Sequence, residues 1–194
     1  MNQIKKIVAI GPESTGKSTL CEQLAQHYNT SWCPEYARAY LSTHGKKYNY
    51  DDLLTIAMAQ VQLEEKYIQL TGSQRQEASR NTLHSPPTSH SFLFIDTNMY
   101  VMKVWCEFVF GKCHQFILDQ IAKRKYDLYL LCSADLKWTH DELREYPDLE
   151  TRQRLYQIYK GIMLNQPISW IEISGDKEER LQKAIQAVNS LLKE

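Results

Sequence analysis

The segment Gly11-Pro12-Glu13-Ser14-Thr15-Gly16-Lys17-Ser18-Thr19 follows directly on the apolar run Ile7-Val8-Ala9-Ile10, and few short segments restrict a fold so narrowly. The spacing G-x-x-x-x-G-K-[ST] lets the backbone curl until several N–H groups converge on one anion, with the positive end of the following helix behind them. Such a loop needs a buried strand before it and a helix after it. The second requirement is met by Leu20, Leu24, Ala25 and Tyr28, which recur at the three- and four-residue spacing of a helix packed on a sheet. The segment predicts a nucleoside triphosphate site with ATP and Mg²⁺ as the bound pair. Gly11, Glu13, Ser14, Thr15 and Gly16 form its phosphate cradle, Lys17 reaches the β and γ phosphates, Ser18 offers a hydroxyl to Mg²⁺, and Thr19 offers another near the α phosphate.

The rest of the chain continues the alternation of strand and helix. Thr30 to Pro34 is short and β-compatible, and Glu35 to Leu41 resumes a helical spacing. Asp51-Asp52 opens a helix expected to reach about Leu70 through Leu53, Leu54, Ala57, Val61 and Tyr67. Phe92 to Asp96, Tyr126 to Cys132 and Ile168 to Ile173 read as buried strands; Met99 to Phe110 and Asp176 to about Leu192 read as helices. This pattern predicts an α/β fold of three layers, with a mostly parallel five-stranded sheet between helices. Thr71 to Ser91 contains Gly72, Pro86 and Pro87 without periodicity, and is expected to be a long, flexible, exposed loop. Asp135 to Gln166 lies between the last two strands, is rich in charge, and is the expected helical lid.

Composition limits what such a fold can serve. With 194 residues, 43% of them hydrophobic, and no linker dividing them, residues 1–194 are expected to form a single domain. The 23 basic and 23 acidic residues balance, which argues against a nucleic-acid or anionic membrane surface and for a small ligand. No apolar stretch approaches the roughly 20 residues that span a bilayer, and the start leads into a strand instead of a signal segment, so a cytoplasmic location is expected. The five cysteines, Cys21, Cys33, Cys106, Cys113 and Cys132, are odd in number and lack CxxC spacing; they read as reduced thiols, not as a disulfide framework or zinc site. The oligomeric state is left open.

In a parallel sheet the C-terminal ends of the strands make the ligand crevice, so Gly11, Glu35 and Asp96 are expected to open onto one edge. Asp96 closes an apolar strand, where an unpaired carboxylate is costly; it is assigned to Mg²⁺ or the reacting hydroxyl, with capping of the next helix as the alternative. Glu35 is the candidate proton acceptor for an attacking hydroxyl, and Arg38 lies one turn further to pair with it or with phosphate. Glu13 has a lesser claim to the same role. Arg144 and Arg152 are the chosen lid arginines, Arg144 for the transition state and Arg152 for the nucleotide, since phosphoryl transfer spreads negative charge that mobile guanidinium groups neutralise. Tyr36, Tyr40, Trp105 and Trp138 are aromatic candidates for stacking on a ring, against the alternative that they belong to the core.

Taken in order, the loop, Glu35-Tyr36-Ala37-Arg38, Phe94-Ile95-Asp96-Thr97 and Trp138-x-x-Asp141-x-Leu143-Arg144 resemble the ribosylnicotinamide kinase domain of NadR-type proteins, within a broader AAA-like P-loop NTPase and kinase family. The resemblance covers nearly the whole chain apart from 71–91. It implies transfer of the γ phosphate of ATP to the 5′ hydroxyl of nicotinamide riboside, giving nicotinamide mononucleotide for NAD salvage. By position it carries Lys17 and Ser18 over as phosphate and Mg²⁺ contacts, Asp96 as the carboxylate at the hydroxyl or metal, Arg144 and Arg152 as lid arginines, and Gln60 as a family glutamine among the acceptor-side residues with Glu35, Tyr36, Arg38 and Trp105. Two positions depart from the family: Asn98 replaces a second acid after Asp-Thr, and Pro34 replaces an aromatic residue before the Glu. The nucleotidyltransferase domain and helix-turn-helix segment of NadR-type proteins have no counterpart in these residues, so adenylyl transfer is expected to lie elsewhere. The alternatives are a P-loop ATPase acting as a nucleotide-dependent switch for a protein partner, and a kinase for another nucleoside-like metabolite.

Overall fold

Short apolar strands separated by amphipathic helices can bury both of their faces by lying side by side, with the helices above and below. The computed structural model, which describes residues 4–81 and 91–192, has this arrangement. Strands β1 (Lys5–Ile10), β2 (Trp32–Cys33), β3 (Phe92–Asp96), β4 (Leu128–Cys132) and β5 (Trp170–Ile173) lie in the order β2-β3-β1-β4-β5, and every pairing is parallel. The helices among the described residues are α1 (Lys17–His27), α2 (Tyr36–His44), α3 (Tyr50–Asn81), α4 (Met99–Phe110), α5 (Gln115–Lys123), α6 (Leu149–Leu164) and α7 (Lys177–Ser190).

The two faces of β1 show how the core divides. Ile7 and Ala9 point to one side, where with Phe94 and Leu130 they meet Leu20 and Leu24 of α1 and Ala184 and Val188 of α7. Val8 and Ile10 point to the other and, with Ile95 and Leu131, meet Val101 and Val104 of α4 and Leu155, Tyr159 and Met163 of α6. A third cluster, including Ala37, Leu53, Ile56, Met102 and Ile117, joins α2, α3, α4 and α5. The predicted three-layer α/β/α fold is therefore present, with a wholly parallel five-stranded sheet.

Register sets Ala9 of β1 beside Asp96 of β3. The connection after β1 runs through α1 on one face toward β2, while that after β3 runs through α4 on the opposite face toward β4. A crevice opens where these connections diverge, at the C-terminal ends of β1 and β3.

Three boundaries differ from expectation. The helix opened by Asp51-Asp52 does not stop near Leu70; α3 continues to Asn81, and Thr71 is buried within it with its hydroxyl bonded to the Tyr67 carbonyl at 2.8 Å. Gly72 costs about 1 kcal/mol in a helix, but Gln74, Arg75, Gln76, Glu77 and Ala78 beyond it are good helix formers, and one weak position does not end an established helix. Residues 82–90, the remainder of the expected loop, lie outside the described residues. Helix α5 has no counterpart among the elements the sequence pattern predicts, although Ile117 and Ile121 stand one turn apart and Ile117 is fully buried. Within 135–166 only α6 is regular; it starts at Leu149 behind an Asp148 cap whose side chain accepts from the Thr151 amide. Among the described residues no helix is long and apolar enough to cross a membrane. Burial pushes the thiols of Cys33 and Cys106 up to about 12 and that of Cys132 to about 11, which leaves them weakly reactive.

Candidate active site

The loop after β1 takes its shape from glycine. Gly11 has φ +139, and a Cβ placed there would lie 2.6 Å from the Cys132 carbonyl oxygen, so the loop can approach β4 only because that atom is missing. Gly16 and Ser14 also lie at positive φ, 79 and 57. Gly16 is the N-cap of α1, and no side chain caps the helix there, which leaves its first amides free for an anion. Thr15 is buried and bonds the Pro12 carbonyl at 2.8 Å; the Lys17 ammonium meets the same oxygen, also at 2.8 Å.

Beneath the loop lies a residue that the sequence reading missed. Arg180, 4% exposed, extends from α7 to donate to the carbonyls of Thr15 (3.1 Å), Ser133 (3.2 Å) and Gly175 (2.8 Å), and pairs with Asp135. Its signal was the spacing: Arg180 stands on the buried stripe of α7 with Ala184 and Val188, where an arginine is out of place unless it is fully engaged.

The carboxylates gather at the adjacent strand ends. Asp96 is 1% exposed; its Oδ2 accepts from the Ser18 hydroxyl at 2.5 Å, while its buried Oδ1 has no hydrogen-bond partner. It does not cap α4, since Asn98 does that by accepting from the Tyr100 amide at 3.0 Å. Burial first, and then the charge of Glu35, push the Asp96 carboxyl up to about 6, against the opposing pull of Lys17, the Ser18 hydroxyl and Arg38. Glu35 is the N-cap residue of α2 but caps nothing with its side chain, and its Oε1 lies 3.4 Å from the Thr97 hydroxyl. Thr97 itself is held at φ 75, a strained setting for a β-branched residue of the kind found where side chains must be aimed.

A cavity of about 380 Å³ opens beside Glu35 and the phosphate loop; Asp96 lies behind Ser18 and is not in its lining. One end is residues 11–19 of the loop with Glu35 and Arg38; the walls are Ala37 and Leu41 of α2, Val101, Val104, Trp105 and Phe108 of α4, and Leu155 and Tyr159 of α6; Asp141 and residues 143–146 complete the lining. The volume and the mixture of apolar walls with a few charged groups suit a small organic ligand. Trp105 donates its indole N–H to the Tyr48 hydroxyl at 2.8 Å, and Tyr48 donates to Glu145 at 2.9 Å. Arg144 stands at the loop, its guanidinium bonded to Ser14 Oγ at 3.2 Å and to the Thr139 carbonyl at 2.5 Å. Arg38 pairs with Asp141 at 2.8 Å.

Besides Asp96, other expected site residues lie outside the cavity lining. Gln60 is 1% exposed, accepts from the Tyr36 amide at 2.7 Å, and donates toward the carbonyls of Pro34 (3.3 Å) and Thr97 (3.4 Å); its amide is occupied by backbone, not turned to a ligand. Tyr36 is engaged through that amide and packs beside α3 and α4. Tyr40 stacks on His44 and bonds Asp52, and Trp138 sits edge-on to His140. Arg152 is 3% exposed, bonds the Leu136 carbonyl at 3.2 Å, and has no carboxylate within ion-pair distance among the described residues.

The AAA domain profile matches residues 6–180, which take in the phosphate loop after β1 and the carboxylate ending β3. The chain belongs to the AAA domain family. Among curated proteins it is 24% identical over 196 residues to the trifunctional NAD biosynthesis/regulator protein NadR of Salmonella typhimurium, and equally to that of Escherichia coli. Each alignment covers 98% of the chain but 43% of the relative, so the chain spans less than half the length of these proteins. Among solved structures, a NadR protein in complex with NR superposes with TM-score 0.66 at 18% identity, over 97% of this chain and 51% of that one. A deoxyadenosine kinase from M. mycoides superposes with TM-score 0.56 at 13% identity, over 95% of this chain and 99% of that one. The fold is that of P-loop kinases.

Proposed function

We propose that the chain is an ATP-dependent kinase acting on a small nucleoside-like acceptor, with nicotinamide riboside as the best-supported one. The observation that carries this reading is that one cavity of about 380 Å³ is lined by both the phosphate loop and Glu35, with Asp96 behind the loop bonded to its Ser18. A switch ATPase needs the loop; it has no need of a largely apolar ligand cavity beside it with a carboxylate, Glu35, in its lining. Similarity to NadR, including a structure with NR and another with NAD and AMP-PNP, supports the choice of acceptor.

In the proposed reaction the acceptor hydroxyl donates a hydrogen bond to Asp96 Oδ1, the buried oxygen that lacks a partner. The hydroxyl oxygen attacks the γ phosphorus, the bond to the β-γ bridging oxygen breaks, ADP leaves, and the proton passes to Asp96. Burial and the charge of Glu35 raise the proton affinity of this carboxyl in the ligand-free protein, which favours it as the acceptor of that proton. Lys17 exchanges the Pro12 carbonyl for the β and γ phosphates, and Arg144 neutralises charge that grows in the transition state. Arg152, a buried guanidinium without a protein carboxylate, is suited to nucleotide phosphate. The Ser18 hydroxyl and Asp96 carboxylate, 2.5 Å apart, fit the hard-oxygen preference of Mg²⁺ and would hold it. Bound there, Mg²⁺ supplies neutralisation of the phosphate oxygens.

The test is ATP consumption against a panel of nucleosides and vitamin ribosides, with products identified by mass spectrometry. Formation of nicotinamide mononucleotide from the riboside is the expected result. ATP turnover that no acceptor stimulates would overturn the kinase reading.

A further inference from the structure

Residues 137–148 cross the cavity as a strap without regular secondary structure, and four sets of contacts fasten it down. Arg38 of α2 holds Asp141, and Tyr48 holds Glu145. The remaining two sets begin on adjacent residues of the phosphate loop. Ser14 Oγ accepts from the Thr139 amide and from Arg144, each at 3.2 Å. Glu13 accepts from two successive backbone amides, Glu145 N at 3.0 Å on one oxygen and Tyr146 N on the other.

A carboxylate within a loop that collects phosphate works against its ligand by simple repulsion unless its charge is engaged elsewhere. Both oxygens of Glu13 are engaged, in charge-assisted bonds stronger than neutral ones. Those bonds fix the backbone at Tyr146, whose ring stands edge-on to Phe108 with centroids 5.5 Å apart, and both residues line the cavity. The loop that holds phosphate and the roof that shapes the ligand cavity are thus joined through one side chain.

We propose that Glu13 is a positioning residue: its carboxylate ties residues 143–146 to the phosphate loop and so sets the fit of the acceptor. The kinetic part of this proposal rests on the kinase reading; the coupling itself does not. In Glu13→Gln one amide loses its anionic acceptor and meets an NH₂ group instead. Hydrogen–deuterium exchange of ligand-free protein is expected to quicken about tenfold at the Glu145 and Tyr146 amides, the scale of one charged hydrogen bond. The KM for acceptor is expected to rise about tenfold and by clearly more than the KM for ATP, and Glu13→Asp, which keeps the charge, to recover part of the exchange and acceptor effects. Unchanged exchange at the two amides would overturn the proposal. So would a parallel rise of both KM values, which assigns Glu13 to the nucleotide, or faster exchange throughout the chain, which signals general destabilisation. If no acceptor is turned over, the kinase reading falls while amide exchange still decides the coupling.

Discussion

Asp96→Asn separates the contribution of this carboxylate to stability from its contribution to chemistry, because the two are expected to move in opposite directions. The side chain keeps its size and an acceptor oxygen for Ser18 but loses a charge that is fully buried and faces Glu35. In the folded protein its carboxyl sits at about 6, against an ordinary 3.8. The folded state therefore binds the proton more tightly than the unfolded chain. Stability from this group is fully present below about pH 4, falls as pH rises, and is lost above about pH 6. At 1.36 kcal/mol for each tenfold change in proton affinity, ionising Asp96 costs the folded state about 3 kcal/mol at pH 8. The asparagine variant escapes that cost, so its Tm at pH 8 is expected to exceed the parent's by as much as about 6–12 °C for a chain of this size, the gap closing toward pH 4. Melting both proteins at pH 4, 6 and 8, followed by circular dichroism, measures the difference. The same variant is expected to lose kcat with little change in ATP affinity. A variant less stable than its parent at pH 8, or a Tm gap that ignores pH, would refute the electrostatic reasoning.

Lys17→Ala is expected to lower kcat at least about 10²-fold, since transition-state charge on the phosphates loses its partner, while circular dichroism stays unchanged; near-normal turnover would remove Lys17 from the site. Gly11→Ala introduces a methyl 2.6 Å from the Cys132 carbonyl oxygen at φ +139. It is expected to cost about 3 kcal/mol or more and to abolish nucleotide binding, read by thermal melting with and without ATP.

The strands and the loop were readable because each depends on local pattern. β3 and α4 fall within the boundaries their sequence implied, Phe92–Asp96 and Met99–Phe110, since a buried apolar run and an Asn cap act over a few residues. The end of α3 was not readable, because propensity around Gly72 is weak while propagation of a helix already under way is not. At the site, Lys17, Ser18, Glu35 and Asp96 are drawn together from the ends of β1, β2 and β3 by parallel topology, which the alternation implied. The spacing of α7 marks Arg180 as buried but does not name its partners, since apart from Asp135 these are backbone carbonyls of three separate segments, and no residue pattern announces a carbonyl as a partner. The contacts of Glu13 escaped notice for the same reason, being made to amides 132 and 133 positions away.

Gln60 illustrates how a residue can matter to a site without facing it. Its amide oxygen holds the first amide of α2, directly after Glu35, and its NH₂ group reaches the Pro34 carbonyl before Glu35 and the Thr97 carbonyl after Asp96. One buried side chain of α3 thus spans the ends of two strands that each present a carboxylate. Glu35 and Asp96 repel one another, and that repulsion is part of what lifts Asp96 to about 6. Two like charges free to separate would relax apart and lose the effect; strand ends bound through a common amide cannot. The raised proton affinity of Asp96, on which its proposed role as proton acceptor draws, is in this sense maintained from α3, by bonds to backbone that fix where the two carboxylates begin.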